Sequence, residues 1–225
     1  MFSKEHQMKN IGVILAGCGY LDGAEIRESV LTLLCIDECG ANAEIFAPNI
    51  NQHHVVNHLN GEEKNEARNV LEESARIARG KIKDLESLEI NKLDALILPG
   101  GFGVAKNLSN LAFNGPEGEI NETLSQILTT ALEQKKPIGA ICISPAVICL
   151  GIGKASPEVT IGNDEGTAGA IKALGGIHQN KTVKEIQIDM KNKIVTTPAY
   201  MYDDASISDV AAGISQCVKK VIELS

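Results

Sequence analysis

Short, uniformly apolar runs alternate along the chain with longer segments of helical period. Residues 11–16 (IGVILA) end at Gly17 and have the pattern of a strand buried on both faces. Residues 24–39 carry Ile26, Val30, Leu33, Leu34 and Ile36 at helical spacing and stop at Gly40. A second strand is read at 43–47, closed by Pro48, and a helix at 65–79 with Val70, Leu71, Ala75 and Ala78 on one stripe. The third strand, 93–98, runs into Pro99-Gly100-Gly101. A helix at 120–134 precedes a fourth strand at 137–141, which meets a helix from Pro145 almost at once. Segments 182–189 and 193–197 read as a hairpin turning at Lys191-Asn192, and a last helix covers 206–224.

Strands alternating with helices build right-handed βαβ units, and these give a doubly wound, mostly parallel sheet with helices on both faces. No repeat, low-complexity stretch or linker breaks the alternation, so residues 1–225 are read as one α/β domain. The polar stretch 49–66 is the longest early excursion and is expected to cap the site or an interface.

Composition narrows the function classes. Hydrophobic residues at 44% and charged residues at 22% suit a folded soluble domain, and a net charge of −8 lacks the basic footprint a nucleic-acid partner needs. The apolar stretch 137–153 is short and carries Pro145 and three glycines, so no membrane span is expected. Residues 1–10 show no apolar secretory core, and a cytosolic location with six cysteines kept mostly as thiols is the expectation.

In open α/β sheets ligands bind beyond the carboxyl ends of the strands. Three segments fall there: Gly17-Cys18-Gly19, Pro99 to Gly103, and Ile141 to Pro145. In the third, Cys142 sits on a tight strand-to-helix turn of the nucleophile-elbow kind, and the helix dipole after it would favour a thiolate over a small buried thiol. Gly100 and Gly101 would let backbone amides approach a ligand, as an oxyanion hole requires. Glu25 and Glu28 share a face at the start of the first helix, either compensating its dipole or reaching toward Cys142 as a proton shuttle.

Other patterns carry less. Gly17, Gly19 and Gly23 are spaced one residue too widely for a dinucleotide fingerprint, and the Ala105-Lys106-Asn107 sequence lacks a phosphate-loop ending. His53, His54 and His58 lack partners in a ligand pattern and are read as a solvated polar segment, so no metal is expected. Cys35 and Cys39 are read as small buried residues.

Three motifs, LPGGFGVAKNLS (98–109), ARNVLEESARIARG (67–80) and GAICISP (139–145), resemble the enhancing lycopene biosynthesis (ElbB-like) proteins of the ThiJ/PfpI, class I glutamine-amidotransferase-like superfamily. The resemblance covers nearly the whole chain. It implies a flavodoxin-like fold, a homodimer, no cofactor, and a reactive cysteine at the elbow. Cys142 falls on the family nucleophile, Glu28 on the glutamate that contacts it, and Gly101 and Ile143 on the matching backbone amides. Gly100 joins that loop, and Cys18, Glu25, Asn107 and Tyr200 are assigned to the substrate pocket. Gly162 stands where related enzymes place a histidine, and Thr196 to Tyr200 replaces the His-x-Glu of glutamine hydrolysis. The resemblance implies a glyoxalase-like enzyme taking a small carbonyl substrate such as methylglyoxal or glyoxal. A non-catalytic redox-sensing or binding protein linked to isoprenoid metabolism or stress is the alternative.

Overall fold

The structure, a computed structural model, describes residues 8–225; the first seven residues of the polar amino-terminal segment lie outside the described residues. The strands are β1 (Asn10–Ile14), β2 (Asn42–Ala47), β3 (Val55–Val56), β4 (Glu63–Lys64), β5 (Lys83–Asp84), β6 (Ala95–Leu98), β7 (Ile138–Ile141), β8 (Glu158–Val159), β9 (Ile177–His178), β10 (Gln187–Asp189) and β11 (Ile194–Thr197). The helices are α1 (Ile26–Glu38), α2 (Val70–Ile77), α3 (Phe102–Lys106), α4 (Leu111–Asn114), α5 (Glu122–Glu133), α6 (Ser144–Ile152), α7 (Glu165–Ala173) and α8 (Ile207–Leu224).

Seven strands form the central sheet in the order β10-β11-β7-β6-β1-β2-β5. All neighbours are parallel except β10 and β11, the hairpin read from the sequence. Successive side chains on a strand point to opposite faces. Ile14, Leu96, Leu98, Ile138 and Ile194 therefore enter one core with α5 and α6, while Ile11, Val13, Ile97, Ile141 and Val195 enter the other with α1 and α8. Both faces are covered, which is why these strands are apolar at nearly every position. The doubly wound, flavodoxin-like reading of the fold holds.

Local chemistry sets the helix boundaries. Asn69 caps α2 by accepting from the Glu72 amide at 3.1 Å, so the helix expected from residue 65 begins only at Val70. Asn121, Asp164 and Ser206 cap α5, α7 and α8 in the same way. The polar excursion after β2 contains the β3–β4 hairpin, and His58 Nε2 accepts from the Leu21 amide at 3.2 Å. His53 stacks on Phe113 with ring centroids 4.1 Å apart, while His53 and residues 58–67 are exposed, in keeping with a largely solvated segment.

The stripe on α1 faces the unexpected way. Ile26, Val30 and Leu34 are 45%, 50% and 49% exposed, while Glu28, Ser29, Thr32, Cys35 and Ile36 are buried. Packing against α8 and the sheet takes in Ile36 and otherwise small and polar groups, leaving Ile26, Val30 and Leu34 outside.

The sheet order positions the site. β1, β6, β7 and β11 are consecutive neighbours and parallel, so the segments leaving their carboxyl ends lie side by side. These segments are the run into α1, the Pro99–Gly101 loop, the Cys142 turn and the short helical turn Ala199–Met201. No helix among the described residues is long and apolar enough to cross a membrane.

Candidate active site

Cys142 leaves β7 with φ of 61°, in the left-handed region that a residue with a side chain occupies only under constraint. Its amide donates to the Thr197 carbonyl of β11 at 3.0 Å, and the Ser144 hydroxyl at the start of α6 donates to the Pro99 carbonyl at 2.8 Å. The elbow is thus tied on both sides to neighbouring strand ends. Cys142 is 7% exposed.

Glu28 comes from the first turn of α1 and is completely buried. Its Oε2 accepts from the Gly100 amide at 2.8 Å and its Oε1 from the Tyr200 amide at 3.2 Å. Burial, reinforced by the nearby Glu25 carboxylate, raises the pKa of Glu28 to about 8, with the two amides and a hydrogen bond to Cys142 opposing the rise. At neutral pH the folded protein therefore holds Glu28 largely as the neutral acid.

The Cys142 thiol is also pushed well above its ordinary value, first by burial and then by the Glu28 carboxylate. The amides of Gly101 and Ile143 hydrogen-bond to the sulfur and pull the other way without prevailing. This corrects the expected thiolate: desolvation outweighs the helix terminus, and the resting group is a thiol sharing a hydrogen bond with Glu28.

Gly100 and Gly101 serve different ends. The Gly100 amide is committed to Glu28, so Gly100 is not an oxyanion donor as the sequence suggested. Its lack of a side chain is still required, because a Cβ there would overlap Cys142 Cβ and stand 2.7 Å from Glu28 Oε2. Gly101, at φ of 99°, turns the loop so that its own amide faces the sulfur, and a Cβ there would run into the Gly23–Glu25 backbone.

A cavity of about 860 Å³ opens over Cys142, Gly101 and Ile143. Glu25 and Tyr200 line it as expected. Glu25 also caps α1, its Oε2 accepting from the Glu28 amide at 2.6 Å, and burial raises its pKa. Cys18 and Asn107 do not line it. Asn107 is buried, donating to the carbonyls of Ala16 and Asp22 at 2.9 Å each and accepting from the His53 amide, and so fastens the loop after β1. Cys18 lies in that same loop, in the field of Glu73 and Arg76. Glycines at a strand end drew attention to this loop; its Tyr20 and Glu25 do reach the cavity, whereas Cys18 does not.

Sequence reasoning missed Arg27, Tyr20, Phe102 and Met201 of the cavity wall. Arg27 had a signal, being adjacent to Glu28, whereas the aromatic residues become neighbours only through the fold. Tyr202 was missed as well. Gly162 has φ of 96°, and a Cβ on it would lie 2.9 Å from Tyr202 Cε2 and 3.4 Å from Pro198 Cβ. The Tyr202 ring, its hydroxyl donating to the Lys181 carbonyl at 2.8 Å, fills the space a histidine would enter. His178 accepts from the Ile161 amide at 3.3 Å and does not line the cavity. Among the described residues no group of three or more His, Cys, Asp or Glu is placed to hold a metal, and the six cysteines are free.

No family model matches the chain. The chain is 44% identical over 225 residues to the mitochondrial ES1 protein homolog of Rattus norvegicus, covering 96% of this chain and 84% of that protein. It is also 44% identical over 228 residues to the human mitochondrial glutamine amidotransferase-like class 1 domain-containing protein 3, covering 96% and 83%. A crystal structure of an isoprenoid biosynthesis protein with an amidotransferase-like domain, from Ehrlichia chaffeensis, matches with a TM-score of 0.90 at 42% identity over 96% of this chain and 99% of that one. At 15% identity, a DJ-1 superfamily protein from Agrobacterium tumefaciens shares the fold, with a TM-score of 0.57 over 97% of this chain and 92% of that one. The cytosolic expectation is overturned by the curated relatives, which are named mitochondrial. It rested on the lack of an apolar secretory core, and mitochondrial targeting sequences are amphipathic and basic, so that lack does not discriminate. With 44% identity across most of both chains, the protein belongs to the ES1 family of glutamine amidotransferase-like class 1 domain proteins.

Proposed function

We propose that this protein is a cofactor-independent enzyme of the glyoxalase type, converting a small 2-oxoaldehyde to the 2-hydroxy acid. The supporting observation is the buried Cys142–Glu28 pair beneath two backbone amides, opening on a cavity. The thiol of Cys142 adds to the aldehyde carbon, forming the C–S bond of a hemithioacetal while its proton passes to the carbonyl oxygen. The amides of Gly101 and Ile143 hold the oxygen as it gains charge. Glu28, in its minor carboxylate form, takes the proton from that carbon and returns it to the adjacent ketone carbon, while the hemithioacetal hydroxyl proton passes to the ketone oxygen, leaving a thioester of the hydroxy acid. Water cleaves the thioester, and the sum is oxoaldehyde plus water giving hydroxy acid, with no net redox partner. A pKa of about 8 suits Glu28 to exchange a proton in both directions near neutral pH.

The ElbB-like resemblance supplies the substrate class. The absence of a histidine at Gly162 favours a second reading, in which Cys142 is a reversibly oxidised sensor whose state a partner reads. The similarity to the Ehrlichia isoprenoid biosynthesis protein is compatible with that reading. Incubation with methylglyoxal without glutathione separates the two. Lactate formed by wild type and not by Cys142→Ser supports the enzyme, and equal rates for both refute it.

A further inference from the structure

The cavity over Cys142 is far larger than a three-carbon oxoaldehyde requires. At about 860 Å³ this half-open cleft falls within the roughly 300–1,000 Å³ range of pockets that take drug-sized ligands. Its wall includes Tyr20, Ile26, Phe102 and Met201, and the first three are 49%, 45% and 49% exposed in the chain as it stands. Large apolar groups left open at a site mouth indicate a ligand with an apolar body.

Arg27 is the basic residue of this wall. Among the described residues its guanidinium has no acidic partner within ion-pair distance, unlike Arg68 and Arg76, which pair with Glu66 and Glu73. It is held instead by the Tyr200 ring, 5.8 Å from the ring centroid, and donates one hydrogen bond to the Tyr200 hydroxyl at 3.1 Å. A guanidinium has five N–H donors, so most of its capacity remains free. Its position is also one the helix does not favour, because a cation in the first turn of α1 opposes the macrodipole. The same Tyr200 gives its backbone amide to Glu28, which connects the guanidinium to the reacting pair through one residue.

The acidic residues of the wall are differently engaged, although the Glu25 charge reaches the exposed Arg27 and each favours the other's charged form. Glu25 caps α1, and Asp164 caps α7 by accepting from the Thr167 amide at 2.7 Å. Asp203 is exposed.

We infer that Arg27, steadied by Tyr200, is an anion-recognising residue of this cavity, and that the natural ligand pairs an apolar body with a carboxylate or phosphate end. The inference rests on reading the cavity as the substrate site. Its test is binding rather than turnover, so either reading can fail alone. The probes are 4-phenylbutyrate, 4-phenylbutyramide and 4-phenylbutylamine, titrated by calorimetry into wild type, Arg27→Gln and Arg27→Lys. A charge-assisted hydrogen bond contributes about 1.5–3 kcal/mol, or about tenfold or more in affinity. Wild type is expected to bind the acid at least about tenfold more tightly than the amide, with the preference lost in Arg27→Gln and partly kept in Arg27→Lys. Failure of wild type to bind the acid, equal binding of acid and amide, tightest binding of the amine, or a preference that survives Arg27→Gln would each overturn it. If the acid preference is found but methylglyoxal is not turned over, the anion site stands and the glyoxalase reading falls.

Discussion

At the scale of single residues, the site is governed by desolvation. Cys142 and Glu28 share one buried space; burial makes both costly to ionise, Glu28 raises the cost further for Cys142, and the Cys142 hydrogen bond eases it for Glu28. Below about pH 8 Glu28 is the neutral acid, and above it the carboxylate's charge further resists thiolate formation. Both the charge of Glu28 and its hydrogen bond hold the thiol pKa up, so replacing it must let that pKa fall. Glu28→Gln is therefore expected to alkylate faster than wild type at Cys142 with iodoacetamide at pH 9, its rate–pH curve displaced toward lower pH. Peptide mass spectrometry resolves the site, and a curve that is unmoved or displaced upward would mean that Glu28 stabilises the thiolate.

At the scale of elements, the strand ends explain what the sequence could disclose. The apolar runs and their closing glycines and prolines located β1, β2, β6 and β7, and a tight turn after β7 pointed to Cys142 without further knowledge. Glu28 was legible as one of two carboxylates, but its partners, the Gly100 and Tyr200 amides, lie 72 and 172 residues away and meet it only through the order of the sheet. The short α3, the β3–β4 hairpin and α7 were not legible, because elements of two to five residues carry no period and α7 is built largely of Gly and Ala. The α1 stripe was legible but not its direction. The turn after β8 is the sharpest example of tertiary control. A histidine at 162 would need both a positive φ and the volume of the Tyr202 ring. Gly162→His should lower stability by about 1–3 kcal/mol through overpacking, and Tyr202→Ala in the same chain should recover part of the loss. Chemical denaturation checks this, and a fully stable Gly162→His protein would show that the space is not filled as described.

At the scale of the molecule, the outward apolar face of α1 has a consequence. Ile26, Val30 and Leu34 recur every four residues, and Ile26 also belongs to the cavity mouth with Tyr20 and Phe102. The homodimer implied by the family resemblance is proposed to use this face, with a second copy covering the stripe and narrowing the entrance. Light scattering should give twice the 24.0 kDa chain mass for wild type and about the single mass for Val30→Glu with Leu34→Glu. A wild-type monomer, or a double variant that stays dimeric, would remove α1 from the interface. The anionic chain and mixed lining of the cavity fit a small-molecule site better than a polyanion groove.

The proton transfer assigned to Glu28 is tested most directly by comparing Glu28→Gln with Glu25→Gln in lactate formation from methylglyoxal. Both side chains sit at the start of α1, and both amides preserve size, but only Glu28 bonds to Cys142. A general acid–base group contributes about 10²–10⁴-fold. Glu28→Gln is expected to lose at least about 100-fold in kcat, while Glu25→Gln stays within about tenfold of wild type. Lactate formed at the wild-type rate by Glu28→Gln would contradict the proton shuttle at the centre of the mechanism.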